Sequence, residues 1–186
     1  MTGTTHFMVG AVAGAAVVAA MEPTGWPKEA VIGIAAIAAT LPDLDTERSL
    51  IQGLLMRKVD PKMRRVILGA VGLGLMLLTH ISYGFLLAGL FLLLSSVLPH
   101  RTFTHSLLGL TMITWTTYLL DPELAPAVFA GYLSHLVADS MTPHGVPWLW
   151  PYQRCFRFAQ IRTGSGMDHF LGLTAFFGSF FIWLVL

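Results

Sequence analysis

Charged residues are scarce in this sequence: Asp, Glu, Lys and Arg make up 11% of its 186 residues, about half the ~25% of an ordinary soluble domain. A water-soluble sphere needs a polar coat, and too few polar residues are present to supply one. Basic residues hold no useful surplus. Lys plus Arg number 11 against 10 Asp plus Glu, a formal charge of +1, which excludes the basic stripe of a nucleic-acid-binding protein. Cysteine occurs once, at Cys155, so neither an internal disulfide nor a thiolate zinc site can form, and any metal must be held by imidazole and carboxylate. What remains is apolar: 55% of the residues are hydrophobic and the mean hydropathy is +0.70. That excludes disorder and makes lipid the solvent.

A helix crosses the ~30 Å hydrocarbon layer with ~20 residues. Seven segments are candidates: 6–21, 26–41, about 63–79, 84–98, 103–120, 122–139 and 169–186, the first four near the short limit. The fold class expected is all-α, a polytopic membrane bundle of about seven short transmembrane helices forming one integral domain over 1–186. Whether the second segment crosses or re-enters stays open. The stretch from Val66 to Leu98, taken as one helix, would measure about 50 Å and overshoot the bilayer. His80, Ser82, Tyr83 and Gly84 suit a turn in its middle, so it divides into two antiparallel helices.

With that parity Arg48, Arg57, Lys58, Lys62, Arg64, Arg65, Arg101, Arg154, Arg157 and Arg162 share one face, and Lys28 alone lies on the other. The positive-inside rule makes the basic face cytoplasmic, with the N-terminus inside and the C-terminus outside. No Lys or Arg precedes the first segment, so a cleaved signal peptide is not expected. Gly10 and Gly14 form a GxxxG pair that admits a neighbouring helix closely. Leu50, Ile51, Leu54 and Leu55 alternate with Arg48, Gln52, Arg57 and Lys58, the pattern of an amphipathic helix lying on the surface at about 46–58.

Ionisable groups at the ends of membrane spans are costly and are functional candidates by default. His6 begins the first span, Asp43 and Asp45 follow the second, His100, Arg101 and His105 bridge the fourth and fifth, His135 and Asp139 close the sixth, and Asp168 precedes the seventh. All of them reach the cytoplasmic end. His135 and Asp139, four apart, share a helix face at about 6 Å; the plain alternative is a helix-end imidazole hydrogen-bonded to a carboxylate. Asp43 and Asp45 equally suit a cap and a turn. His80 lies at the opposite surface without an acidic neighbour and serves as the control. His144 fits no ligand spacing, and His169 opens the last helix. Taken together, the cluster points to a metal centre: His6, Asp43, Asp45, His105, His135 and Asp139 as ligands. Donors of this class suit a divalent ion, zinc first, with Mn, Fe or Mg as alternatives. Their number allows either two ions or one ion with outer-shell carboxylates.

His6, LPDLD at 41–45, HRTFTHS at 100–106, GYLSHLVADSMTPHG at 131–145, WLWP at 148–151 and IRTGSGMD at 161–168 together resemble the YdjM-type family of membrane-bound metal-dependent hydrolases, over nearly the whole chain. The resemblance implies hydrolysis at the cytoplasmic membrane with a bound metal, and matches His6, Asp43, Asp45, His100, His105, His135 and Asp139 to the family's polar positions. The family tends to have Glu where this chain has Asp168, and HRG where it has His100-Arg101-Thr102. The expected reaction is attack of metal-activated water on an ester, a phosphoester first, of a membrane lipid or lipid-linked substrate. His100, Arg101 and Asp168 are the catalytic candidates, Arg101 holding phosphate oxygens, and Arg162, Trp148 and Trp150 would meet substrate. An aromatic belt explains the tryptophans equally. The rival readings are a metal transporter or sensor, which needs polar groups along the membrane depth, and a scaffold with a structural metal. HExxH is absent, which argues against a metalloprotease.

Overall fold

The computed structural model describes residues 1–23, 25–44, 46 and 59–185. Seven α-helices form among them: α1 Gly3–Met21, α2 Lys28–Ala38, α3 Pro61–Met76, α4 Tyr83–Val97, α5 Leu107–Leu120, α6 Ala125–Ser140 and α7 Gly166–Val185. Short 3-10 turns occupy Leu41–Asp43, Leu77–His80 and Phe103–His105. The chemistry that starts several of these helices is local. The side chains of Thr2, Asp60, Ser82 and Ser106 accept from the backbone N–H of Thr5, Lys62, Gly84 and Gly109, which satisfies donors that no helical carbonyl can reach.

Small residues decide how the helices pack. A Cβ on Gly10 or Gly14 would lie 2.5 or 2.7 Å from the Ala39 or Ala35 methyl, and one on Gly131 would lie 2.1 Å from the Ala35 carbonyl oxygen. The backbone of α2 is thus wedged between α1 and α6, and the Gly10–Gly14 pair has the close-approach role its spacing implies. α1 also carries α7 along its flank. Gly72 faces Gly89 and Gly69 faces Ser96, which makes α3 and α4 an antiparallel hairpin turned at Leu77–His80. The apolar stretch from Val66 to Leu98 is therefore two helices, as its length requires. Buried Ser95 and Thr116 donate to the carbonyls of Phe91 and Met112 one turn back, so their hydroxyls need no partner from lipid.

Three helical stretches, Gly3–Met21, Pro61–His80 and Gly166–Val185, are long and apolar enough to cross a membrane, and α4 and α5 are shorter apolar helices. Large apolar side chains such as Leu73, Leu77, Phe177, Phe181 and Leu184 face outward. The second segment, for which the sequence leaves crossing and re-entry open, forms a helix shorter than the 26–41 candidate. Its helix has 11 residues, about 16 Å, half the hydrocarbon layer. Pro42 lacks an amide hydrogen and sits in the 3-10 turn that replaces further α-helix; contacts with α1 and α6 cover the short element. Apart from residue 46, the amphipathic surface helix read at 46–58 lies outside the described residues.

One end of the bundle is roofed by the connection from α6 to α7. Val146 and Phe156 pair antiparallel, Leu107 N–H donates to the Trp148 carbonyl, and Phe158 and Ile161 N–H donate to the carbonyls of Ser140 and Met141. Gly145, at φ +68°, has the Phe156 carbonyl 2.7 Å from where a Cβ would stand, so only glycine fits there. Below this roof Phe91, Phe103, Leu110, Tyr132, Leu136 and Val146 form a buried cluster.

Candidate metal centre

The helix order delivers polar side chains to the roofed end from four segments: His6 in the first turns of α1, Asp43 in the turn after α2, His100 and His105 around the turn before α5, and His135 with Asp139 in the last turns of α6. They converge. His6 Nε2 lies 3.1 Å from Asp139 Oδ1. His105 Nε2 lies 3.5 Å from Asp43 Oδ1, 3.6 Å from Asp139 Oδ2 and 3.2 Å from His135 Nε2. His135 Nε2 is 3.9 and 3.7 Å from the same two carboxylates, and His100 Nε2 is 3.8 Å from Asp43 Oδ1. The rings of His6 and His135 stack at 3.8 Å.

These atoms form two overlapping triads, His6–His135–Asp139 and Asp43–His100–His105, each with its donors within 4.8 Å of one another. The donor set fits a divalent cation on three observations. Nδ1 of buried His6 lacks a hydrogen-bond partner while its Nε2 meets only the Asp139 carboxylate, a costly condition unless another group is meant to satisfy the ring. His135 Nδ1 lies 2.8 Å from the Ala39 carbonyl; a carbonyl only accepts, so Nδ1 carries the proton and Nε2 turns its lone pair inward, the usual orientation of a metal-binding imidazole. His105 Nε2 and His135 Nε2 face each other at 3.2 Å, where two protons cannot both fit. Nitrogen and carboxylate donors without thiolate suit Zn, Mn, Fe or Mg.

Electrostatics couple the members. Burial pushes the Asp43 carboxyl up, but electrostatic interaction with the His135 ring and a hydrogen bond from His105 outweigh it and hold Asp43 well below the usual carboxylate range. Burial works against protonation of His105, yet hydrogen bonds to Asp139 and Asp43 raise it above an ordinary histidine. Each group favours the charged form of its neighbour, and a cation takes the place of those protons when it binds.

Arg101 stands at the mouth of the cluster. Its guanidinium donates to Asp139 Oδ2 at 3.1 Å and to the Gly145 carbonyl at 3.4 Å, with 27% of the side chain exposed. Its φ of +58° is rare for a residue with a Cβ and costs about 1–3 kcal/mol, a strain typical of functional sites. A pocket of about 300 Å³ beside it is lined by Arg101, Thr102, Pro147, Trp150 and Gln153.

Other residues singled out in the sequence occupy different places. Asp168 is fully buried but engaged with backbone: Oδ2 accepts from Thr2 and Gly164 N–H at 3.0 and 2.7 Å, which ties α7 to the start of α1, while Oδ1 has no partner. Trp148 Nε1 donates to Ser140 Oγ at 2.9 Å, and Trp148 and Trp150 pack on the buried cluster. Arg162 and His144 are exposed. Asp45 lies outside the described residues. His80 bonds the Leu77 carbonyl at the opposite end. Sequence reasoning missed the support beneath the ligands. The hydroxyl of buried Tyr132 donates to the Thr104 carbonyl at 2.5 Å, Thr104 Oγ1 lies 3.1 Å from His105 Nδ1, and the Met1 amine lies 2.5 Å from Asp139 Oδ1. No residue type or spacing announces these contacts.

Residues 1–185 match the family described as YdjM inner membrane protein. The protein named Inner membrane protein YdjM of Escherichia coli (strain K12) is 39% identical over 94 residues, 46% of this chain and 47% of that protein, and its namesake in Shigella flexneri matches to the same extent. The Uncharacterized protein YvsG of Bacillus subtilis (strain 168) is 36% identical over 85 residues, 43% of this chain and 53% of that protein. The chain spans about half the length of the curated relatives it matches. No solved structure matches it. Matched over nearly its whole length, and built of helices that are apolar on the outside, the chain belongs to the YdjM inner membrane protein family.

Proposed function

We propose that this inner-membrane protein is a metal-dependent hydrolase that cleaves an ester, a phosphoester first, of a membrane lipid or lipid-linked substrate at the cytoplasmic face. The observation that carries the reading is the convergence of His6, Asp43, His100, His105, His135 and Asp139 from four distant segments onto one end of the bundle. His6, His135 and Asp139 would hold one ion and Asp43, His100 and His105 a second, zinc being the first candidate. A divalent ion at such a site supplies Lewis acidity and a water whose pKa falls towards ~7.

The residues of the chain divide the remaining work. The Ala39 carbonyl fixes the tautomer of His135. Asp43 holds His105 and His100 in place through its Oδ1. Arg101, paired to Asp139 but partly exposed, presents a planar fork suited to phosphate oxygens. The cytoplasmic assignment follows from the basic residues: Lys62, Arg64 and Arg65 open α3, and Arg101, Arg154, Arg157 and Arg162 lie in connections, all at the end that carries the cluster.

Elemental mass spectrometry of detergent-purified protein tests the reading. Near-stoichiometric metal is expected in wild type and in His80→Ala, and its loss in Asp139→Ala. Arg101→Lys is expected to keep the metal and slow phosphoester turnover about tenfold to a hundredfold, the loss of one charge-assisted hydrogen bond. Wild type without metal, even after refilling, overturns the proposal. Metal uptake into sealed vesicles would replace it with transport.

A further inference from the structure

A large cavity lies beside the metal centre and is lined by none of its ligands. It is a groove of about 770 Å³ whose floor is α1 from Val9 to Met21 and whose walls are α6 from Phe129 to Met141 and α7 from Leu171 to Ala175. Its width comes from alanine: Ala13, Ala16 and Ala20 on the floor, with Ala130 and Ala175 opposite, leave the space that larger side chains would fill. Ala16, Ala20, Phe129 and Val137 are exposed, so the groove opens sideways, towards the surrounding lipid.

The two hydroxyl-bearing residues of the groove offer a guest no free donor, since each spends its proton on a backbone carbonyl. Ser134 Oγ donates to the Gly131 carbonyl at 2.7 Å, and Thr174 Oγ1 donates to the Phe170 carbonyl at 3.0 Å. A polar guest would leave its own groups unpaired there, at a cost of several kcal/mol, whereas an alkyl chain would not. Along α1 the floor measures about 18 Å from Val9 to Met21 at 1.5 Å per residue, a little over half of the ~30 Å hydrocarbon layer. That is the depth of one leaflet. One end of the groove reaches Met1, Ala138 and Met141; Ala138 adjoins Asp139, and the Met1 amine touches Asp139 Oδ1. That end of the groove therefore lies beside Asp139, and Arg101 supplies a cation on the same carboxylate.

We infer that the α1–α6–α7 groove holds one acyl chain of a bilayer phospholipid, with the anionic head turned towards Arg101. The substrate class of the centre is then an acyl-bearing phospholipid taken laterally from the leaflet, an assignment that rests on the hydrolase reading; the occupancy of the groove does not.

The test is photo-crosslinking in vesicles of phosphatidylethanolamine and phosphatidylglycerol containing a phosphatidylglycerol with a diazirine in its acyl chain, read by peptide mass spectrometry. In wild type, adducts are expected to concentrate on α1, α6 and α7 peptides that line the groove. Ala16→Trp and, independently, Ala20→Trp fill exposed floor positions and are expected to cut those adducts about tenfold, as overfilling of a small-residue space should, with metal content and adducts on the outward face of α3 unchanged. Asp139→Ala is expected to lose metal and keep the groove adducts. Adducts spread evenly over the outward faces of α3 and α7, or undiminished in both Trp variants, overturn the groove as a lipid site. Groove-confined adducts in a wild type that holds no metal support the lipid site and overturn the hydrolase reading alone.

Discussion

Tyr132 is the residue on which the ligand geometry leans most visibly. Its hydroxyl, fully buried, donates to the carbonyl of Thr104, in the turn that carries His105. Tyr132→Phe leaves that carbonyl without its donor, and removing one partner of a buried pair costs about 1–3 kcal/mol. Thermal unfolding in detergent is expected to register that loss. Because the turn also aims His105, a metal titration should show affinity lowered about tenfold to a hundredfold, as for other outer-shell contacts. At this scale the sequence discloses ligands better than their supports. His6, Asp43, His105, His135 and Asp139 stand out because each interrupts apolar surroundings at the end of a span. The Ala39 carbonyl that orients His135 is invisible, since every residue carries a carbonyl and only the close packing of α2 on α6 selects this one. Asp168 illustrates the converse: its buried place at a helix start is legible, but its bonds to Thr2 and Gly164 N–H depend on a loop conformation that residue types do not encode.

Among the elements, α2 is the one whose fit has no slack. Gly131 of α6 would drive a Cβ to 2.1 Å from the Ala35 carbonyl, a backbone atom that cannot swing aside, whereas Gly33 on the same helix has nothing within 4 Å. Gly131→Ala is expected to destabilise the bundle by about 1–3 kcal/mol and, by shifting the end of α2 where Ala39 holds His135, to reduce bound metal. Gly33→Ala is expected to leave the metal unchanged and to stabilise by about 0.5–1 kcal/mol, the usual gain on replacing a mid-helix glycine. Melting curves and metal content of the two variants side by side check both. The division of Val66–Leu98 was legible because length alone forbids one helix. The shortness of α2 was not: after Lys28 and Glu29 the run from Ala30 to Ala39 is uniformly apolar, and nothing in that pattern says that a helix wedged between two others needs only half the membrane's depth.

For the whole molecule, the described basic residues other than Lys28 share one end with the metal centre, and the hairpin of α3 and α4 turns at the other. The protein carries its own reporter of this arrangement, since Cys155 is its sole cysteine and is exposed in the roof over the centre. A membrane-impermeant maleimide is expected to label Cys155 in inverted vesicles and not in spheroplasts. His80→Cys in a Cys155→Ser background is expected to give the reverse. Labelling of both positions from one side would mean that α3 and α4 do not cross.

The donors of the centre are gathered from His6 in the first helix and Asp139 at the end of the sixth. While α6 is still in the ribosome, one triad lacks both His135 and Asp139, and the imidazoles of the other have no α6 wall behind them. Under the proposed function, ion capture, favoured only by the finished arrangement, would act as a receipt for completed insertion, and a chain stalled midway through biogenesis would be distinguishable from a mature one by the cation it has not yet retained.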